Sequence, residues 1–271
     1  MNIKISEGDG GMTRMGSSFR KNYVHYLQEG LGLAIFMISA CFFSALLEGK
    51  QTAVHLAIPN ADIRSLIMGL FMGLTALFIF YSPFTAPSGS HINPAVTMVF
   101  VRLGKIRTGD AFFYILFQLA GGLAAVYAME FLLGHSLTDE PVKYACTIPG
   151  RHGVAAAAIT ELVIAFIMIS MVLLTSASEK FGKYTRLFAA LLVCLNVIFA
   201  GPVSGFGMNP ARTLASAIPG HVYTALWIYL IIPFAGMLAA AEFFLFTQNR
   251  KQIHRNRQTL REYMINKSLS K

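Results

Sequence analysis

The sequence has few charged residues for its length. Asp, Glu, Lys and Arg make up 13% of its 271 residues, whereas soluble domains typically carry about 25%. Because a soluble protein needs charge to cover its surface, this shortage argues against an ordinary soluble domain and indicates that lipid covers much of the molecule. Several apolar runs approach the ~20 residues that a helix needs to cross a bilayer.

Cysteine is also scarce, with Cys41, Cys146 and Cys194 as the three in the chain. An odd number without paired spacing predicts neither a disulfide framework nor a cysteine metal site. Cys41 and Cys194 lie in apolar runs, where a free cysteine behaves as a small hydrophobic side chain. We therefore expect no bound metal and no cofactor.

The sequence lacks the motifs of an intramembrane enzyme. It has no Gly-x-Ser-x-Gly nucleophile motif, no His-Glu-x-x-His zinc motif and no paired Asp within an apolar run, which are arrangements that such chemistry uses. We expect no enzymatic activity and no catalytic residue. A membrane scaffold without an open pore remains as an alternative to a transport protein.

The apolar segments predict six membrane-spanning helices. They lie at residues 23–47, 64–82, 110–133, 153–175, 185–201 and 223–247. The polar, Gly-rich start of residues 1–22 predicts a disordered tail, and residues 248–271 form a basic tail. The fold class is therefore predicted to be an all-α membrane protein.

The net charge of +9 comes from basic residues beside the predicted spans. With both termini on the same side, that side holds 17 of the 22 Lys and Arg residues. Basic residues concentrate on the cytoplasmic side of membrane proteins. This distribution places both termini in the cytoplasm and accounts for the charge without a nucleic-acid partner.

Two further apolar segments begin with the same tripeptide. They start at Asn93-Pro94-Ala95 and at Asn209-Pro210-Ala211, which lie 116 residues apart. Each continues for only about ten residues, which is too short to span a bilayer. Such segments are typical of re-entrant half-helices, which exist at membrane depth only when packed in protein or facing water.

The chain repeats itself around these tripeptides. Residues 120–125 (AGGLAA) correspond to residues 235–240 (AGMLAA), and each half, 23–133 and 153–247, holds three predicted spans. Because three is an odd number, the second half must insert upside down. Inverted repeats place their functional site near the midplane, where the interrupted helices meet.

An Asn-Pro pair suits the start of a helix. Pro fits the first helical position, and Asn is a good N-cap. Each half-helix should therefore begin at its Asn and direct its positive dipole end inward. The amides of Asn93 and Asn209 could then donate hydrogen bonds to a neutral solute, whereas a cation would be repelled.

The loops around both tripeptides resemble the two signature loops of the aquaporin, or major intrinsic protein, family. They are residues 88–97 (SGSHINPAVT) and 201–213 (GPVSGFGMNPART), and the resemblance covers residues 23–247. It implies the aquaporin fold and a cell-membrane channel for water and other small neutral solutes that excludes protons and ions. It also implies a homotetramer in membrane lipid, with one pore per subunit.

The resemblance assigns a selectivity filter at the outer mouth. Arg212 matches the filter arginine, Val197 the position in the fifth span, and Phe206 a position in the second loop. The position in the second span is either Met72 or Gly73, because the loop that follows is one residue longer than the family pattern.

The residues at and near the filter combine features of water channels with features of glycerol facilitators. Val197 and Met72 replace the His and the aromatic residue of strict water channels, whereas Thr213 and Ala217 are typical of water channels rather than glycerol facilitators. Phe206 is large enough to fill the space beside Val197. Water is therefore the expected solute, and a glycerol facilitator for small polyols is the alternative.

Glu29 and Glu161 lie in apolar helices, where carboxylates are expensive and are functional candidates by default. They could form a proton relay. The resemblance instead implies that each accepts hydrogen bonds from its re-entrant loop and braces it. His91 is expected to brace the first loop and not to bind a metal.

The charge distribution predicts the orientation of the chain. Protease added outside intact cells should leave a tag placed after Lys271 uncut, because the basic tail lies in the cytoplasm. Lysed cells provide the control, in which the tag must be removed. Removal of the tag without lysis would show that the orientation is wrong.

Overall fold

A computed structural model describes the backbone of residues 11–269 and the side chains of residues 19–248 and Arg250. This part of the chain is helical and contains no strand. Its α-helices are α1 (Gly11–Glu48), α2 (Ala53–Ala57), α3 (Ala61–Tyr81), α4 (Pro94–Arg102), α5 (Thr108–Leu133), α6 (His135–Thr138), α7 (Gly153–Ser176), α8 (Thr185–Phe199), α9 (Gly201–Ser204), α10 (Pro210–Gly220) and α11 (Leu226–Leu269).

Six of these helices provide segments long and apolar enough to cross a membrane. They are α1, α3, α5, α7, α11, and α8 together with the short 3₁₀ turn before it. Large apolar side chains point outward from them; Phe131 is 89% exposed and Phe199 is 70% exposed. Lipid is the environment that such surfaces require, and the protein is a multi-pass membrane protein, as predicted.

Two helices, α1 and α11, extend beyond the membrane spans that the sequence predicts. Residues 11–22, which composition assigns to a disordered tail, form the first turns of α1. No Gly or Pro lies between Gly16 and Gly30, so no helix-breaking residue separates the start of α1 from its apolar part. Residues 1–10 lie outside the described residues. At the other end, α11 continues through the basic segment to Leu269.

The half-helices α4 and α10 begin at the predicted residues. Asn93 caps α4 by accepting a hydrogen bond from Ala95 N, and Pro94 occupies the first helical position. Asn209 caps α10 in the same way. The two helices contain nine and eleven residues, and at 1.5 Å per residue neither can cross ~30 Å of hydrocarbon.

The helices pack as an inverted repeat. Within the first repeat α1 packs against α5, and within the second α7 packs against α11, while α3 and α8 pack across the two. Each half-helix also crosses over: α4 packs against α11, and α10 packs against α5. The half-helices thereby join the two repeats at the centre of the molecule.

Glycine permits the closest helix contacts in both repeats. A Cβ on Gly121 of α5 would lie 2.1 Å from the carbonyl oxygen of Gly30 in α1. At the corresponding place in the second repeat, a Cβ on Gly236 of α11 would lie 2.6 Å from the carbonyl oxygen of Leu162 in α7. Small residues at such crossings let membrane helices approach closely.

We expect Gly121→Ala to destabilise the fold, because its methyl group would overlap the backbone of α1. Overpacking of this kind costs roughly 1–3 kcal/mol, which should lower the melting temperature of the detergent-solubilised protein. Gly109→Ala, in the first turn of the same helix with no atom within 4 Å of the added Cβ, is the control and should not lower it. Equal melting temperatures for both variants would contradict the packing argument.

Candidate functional site

The two capping asparagines meet where the half-helices face each other. Asn93 Nδ2 donates to the carbonyl oxygen of Met208 at 2.8 Å, and Asn209 Nδ2 donates to that of Ile92 at 2.6 Å. A primary amide has two N–H donors, so each Asn retains a second N–H. Both residues line a cavity of about 750 Å³, where that N–H is available to a solute.

The two loops have the same backbone conformation. Positive φ angles occur at positions related by 116 residues: Gly89, Ser90 and Ile92 in the first loop, and Gly205, Phe206 and Met208 in the second. Residues other than Gly rarely adopt such angles, and they persist only where the surrounding structure holds them. Each loop therefore depends on contacts with the helices around it.

In the first loop the holding group is Glu29 of α1. Its carboxylate accepts hydrogen bonds from Ser88 Oγ at 2.6 Å, His91 N at 2.9 Å and Ile92 N at 2.6 Å. Gln118 Nε2 of α5 donates to the same carboxylate at 2.8 Å. Glu29 is completely buried, and these four bonds satisfy a group that would otherwise be costly at this depth.

In the second loop Glu161 of α7 makes the equivalent contacts. Its carboxylate accepts hydrogen bonds from Ser204 Oγ at 2.7 Å, Gly207 N at 2.9 Å and Met208 N at 2.5 Å. Glu161 is also completely buried. Both carboxylates thus accept hydrogen bonds mainly from their own loop. This arrangement leaves few oxygen lone pairs for a proton relay.

Two tyrosines that sequence reasoning missed hold the same loops. Tyr114 Oη donates to the carbonyl oxygen of Ser88 at 2.8 Å, and Tyr229 Oη donates to that of Ser204 at 2.6 Å. The pair lies 115 residues apart, which is the offset of the AGGLAA and AGMLAA segments. A residue-by-residue alignment of the two halves would have found them.

His91 lies within the first loop. Its backbone N–H donates to Glu29, its Nδ1 lies 3.2 Å from Thr97 Oγ1, and its ring stacks on Phe100 with centroids 4.5 Å apart. Among the described residues there is no group of three or more His, Cys, Asp or Glu that could hold a metal ion. The contacts of His91 are therefore those of a residue that supports the loop.

The four filter positions come together around an outer cavity of about 390 Å³. Met72, Val197, Phe206 and Arg212 all line it. Gly73 does not, because it faces α8, and a Cβ there would lie 2.7 Å from the Cβ of Cys194. Of the two alternatives for the second span, Met72 is the one that the structure places with the other three.

Arg212 supplies a donor to this cavity. Its side chain is 8% exposed, and its Nη1 has no hydrogen-bond partner among the described residues. A buried donor without a partner costs roughly 1–3 kcal/mol, so Nη1 is a donor that the surrounding side chains leave unsatisfied. The four predicted filter positions therefore combine one charged donor with the apolar side chains of Met72, Val197 and Phe206 around one cavity.

Cys146 also lines the outer cavity beside Arg212. Burial raises the pKa of its thiol, although the positive charge of Arg212 acts in the opposite direction. The protonated thiol donates to the carbonyl oxygen of Ser216 at 3.3 Å. Cys146 is thus a small hydrogen-bonding wall residue, which its isolated position in the sequence did not reveal.

The inner cavity, of about 750 Å³, lies on the other side of the loops. Beside the two asparagines it is lined by apolar residues such as Met168, Val172 and Val193, and it reaches the basic residues Lys183 and Arg186 before α8 and at its start. The two cavities lie on either side of the paired loops and share lining residues where they adjoin.

The sequence profile described as "Major intrinsic protein" matches residues 17–244. This match covers most of the chain, including both loops and all six spans. The chain belongs to the major intrinsic protein family.

Other members of the family share part of the sequence. The chain is 30% identical over 240 residues to Aquaporin NIP1-3 of Oryza sativa subsp. japonica, covering 87% of this chain and 79% of the relative. It is 37% identical over 155 residues to Aquaporin NIP1-4 of the same organism, and this match spans about half of that relative, 55%.

The fold of the family is also found in a solved structure. The X-ray structure of the aquaglyceroporin from Plasmodium falciparum superimposes with a TM-score of 0.66 over 82% of this chain and 95% of that one. The sequences are 19% identical, so the likeness shows the fold alone. It confirms the predicted aquaporin fold, with six spans and two re-entrant half-helices.

We expect Glu161→Gln to disrupt the second loop. The amide would present an NH₂ group where one carboxylate oxygen now accepts a backbone N–H, and hydrogen bonds to a charged group contribute about 1.5–3 kcal/mol each. The melting temperature and the yield of folded protein should both fall. Glu179→Gln, at an exposed position between α7 and α8, is the control; an equal response in both variants would argue against bracing by Glu161.

Proposed function

We propose that this chain is a passive cell-membrane channel for water and other small neutral solutes that excludes protons and ions. The observation that carries the proposal is the meeting of Asn93 and Asn209. Each amide donates to the opposite loop and keeps one N–H free beside the cavity. Membership of the major intrinsic protein family and the names of its aquaporin relatives support the same activity.

The electrostatics of the two half-helices account for the exclusion of cations. The N-termini of α4 and α10 both carry a partial positive charge, which repels a cation or a hydronium ion. The apolar wall offers little to replace the hydration of an ion. A water molecule instead accepts hydrogen bonds from the amides through its oxygen, which turns its hydrogens away from both loops, as in aquaporin-type pores.

Water is the principal solute in this proposal. The large side chains of Phe206 and Met72 line the same cavity as Val197, so we infer that they occupy part of the space that a small valine leaves. Thr213 and Ala217 follow Arg212 at the positions where water channels carry such residues. Arg212 and the two asparagines supply the donors that a file of water molecules needs.

Glycerol is the second candidate, and one observation favours it. The outer cavity is lined by the apolar side chains of Met72 and Val197 and by the charged donor Arg212. A polyol has carbons that pack against such a wall and hydroxyl oxygens that accept from such a donor. The balance between water and glycerol therefore depends on the width of the pore.

The proposal extends to assembly and orientation. The chain forms a homotetramer with one pore per subunit, both termini lie in the cytoplasm, and it has no enzymatic activity. The family likeness supports the tetramer, and the placement of 17 of the 22 basic residues on the same side supports the orientation. Cross-linking in native membranes tests the tetramer directly.

Stopped-flow swelling of proteoliposomes tests the function. Vesicles that contain the purified chain should shrink or swell faster than empty vesicles under a water gradient, with no increase in proton or potassium leak. The same preparation under a glycerol gradient gives the ratio of the two permeabilities. Water flux equal to that of empty vesicles would favour a membrane scaffold over a channel.

We expect Asn209→Asp to lower water flux and to weaken the exclusion of cations. The new carboxylate would lose the donor that bonds the carbonyl oxygen of Ile92 at 2.6 Å, and it would place a negative charge at the meeting point of the loops. Asn60→Asp is the control, since Asn60 is an exposed N-cap of α3 and Asp caps a helix equally well. A folded Asn209→Asp channel with normal water flux and cation exclusion would contradict the assigned role.

A further inference from the structure

The outer and inner cavities share two lining residues, Phe36 and Phe206. The remaining residues that line each cavity belong to that cavity alone. Phe206 is one of the predicted filter positions, but Phe36 belongs to α1, a helix for which sequence reasoning predicted no role in solute selection. Both side chains are 8% exposed, so each is buried except for its contact with the cavities.

The position of Phe36 on α1 shows why it lies at this boundary. Phe36, Ala40, Ser44 and Glu48 all line the outer cavity, and a spacing of four residues places them on the same face of the helix. Ala40 and Ser44 are small and leave the cavity wide. Phe36 is the innermost residue of this stripe and the member of it that also lines the inner cavity.

Phe206 faces the same boundary from a fixed backbone. Its φ angle is +49°, and its N–H donates to Ser204 Oγ at 3.3 Å. The next residue, Gly207, is held by Glu161. Phe36 is equally constrained, because it lies within a 38-residue helix between the buried side chains of Leu33 and Met37. Both rings are therefore carried by backbone segments that neighbouring contacts hold in place.

We propose that Phe36 is a solute-selecting residue, and that with Phe206 it forms an aromatic constriction between the filter and the paired asparagines. The proposal rests on the channel function proposed above. The rings offer no hydrogen bond, so a solute must leave Arg212 on the outer side before it reaches Asn209 on the inner side. Water crosses this short apolar segment with a low energy barrier, whereas the energy barrier for a polyol rises with the width of the polyol.

Replacement of the Phe36 ring tests the proposal. We expect Phe36→Ala to raise glycerol permeability several-fold and to admit a longer polyol such as erythritol, with little change in water permeability. Phe42→Ala is the matched control, because Phe42 lies on the same helix, is 45% exposed on its outer surface and lines neither cavity. Stopped-flow measurements on the three proteoliposome preparations give the ratio of glycerol to water permeability.

A double-mutant cycle distinguishes a shared constriction from two separate effects. If both rings border the same narrow point, Phe206→Ala should also raise glycerol flux, and the double variant should gain less than the product of the two single gains. If Phe36→Ala does not fold, Phe36→Leu provides a smaller reduction in width and a smaller expected gain.

The outcomes separate this inference from the function on which it rests. A wild-type chain that conducts water, together with Phe36 variants whose glycerol-to-water ratio equals that of Phe42→Ala, would overturn the role of Phe36 and leave the channel intact. A strictly multiplicative double variant would overturn the shared constriction. A wild-type chain without water flux would overturn the channel itself and the inference with it.

Discussion

A buried carboxylate in the first helix of each repeat accepts backbone N–H groups from an irregular loop. At membrane depth there is no bulk water to satisfy these groups, and each unsatisfied one costs several kcal/mol. Glu29 and Glu161 each take two such N–H groups and one serine hydroxyl. Without them, the backbone N–H groups of residues 91, 92, 207 and 208 would lose the acceptors that help to hold the positive φ angles of the loops.

The remaining features of the pore follow from these two loops. Because each loop is held at a defined depth, Asn93 and Asn209 reach the carbonyl oxygens of the opposite loop. Because the second loop is held, Phe206 and Arg212 occupy fixed places on the wall of the outer cavity. In the proposed channel, a solute would therefore meet the donors and the apolar surfaces in a fixed order.

Much of this arrangement could be predicted from the sequence. The two Asn-Pro-Ala tripeptides begin both half-helices because an N-cap and a fixed φ are local properties of those residues. Glu29 and Glu161 were recognisable because a carboxylate stands out in an apolar helix. The six spans followed from length and hydropathy, although the ends of α1 and α11 did not, because a helix can extend into polar sequence where no breaker intervenes.

The remaining features depended on packing that a single sequence does not encode locally. The choice between Met72 and Gly73 required the rotation of α3 against α8, where Gly73 meets Cys194. Phe36 was hidden because α1 is apolar on all sides, so periodicity does not distinguish its pore face from its lipid face. Tyr114 and Tyr229 donate to the loops from distant helices, and only the alignment of the two halves relates them.

The exchange of hydrogen bonds between the two loops has a consequence for biosynthesis. Asn93 donates to residue 208 and Asn209 donates to residue 92, so the first half of the chain contains a polar amide whose partner has not yet been made. At ~5–20 residues per second, the interval between the two loops is on the order of 10 s. During that time the nascent first repeat has no path across the bilayer, because half of its wall is still missing. A channel of the kind proposed above would therefore become conductive only after the second loop has been made.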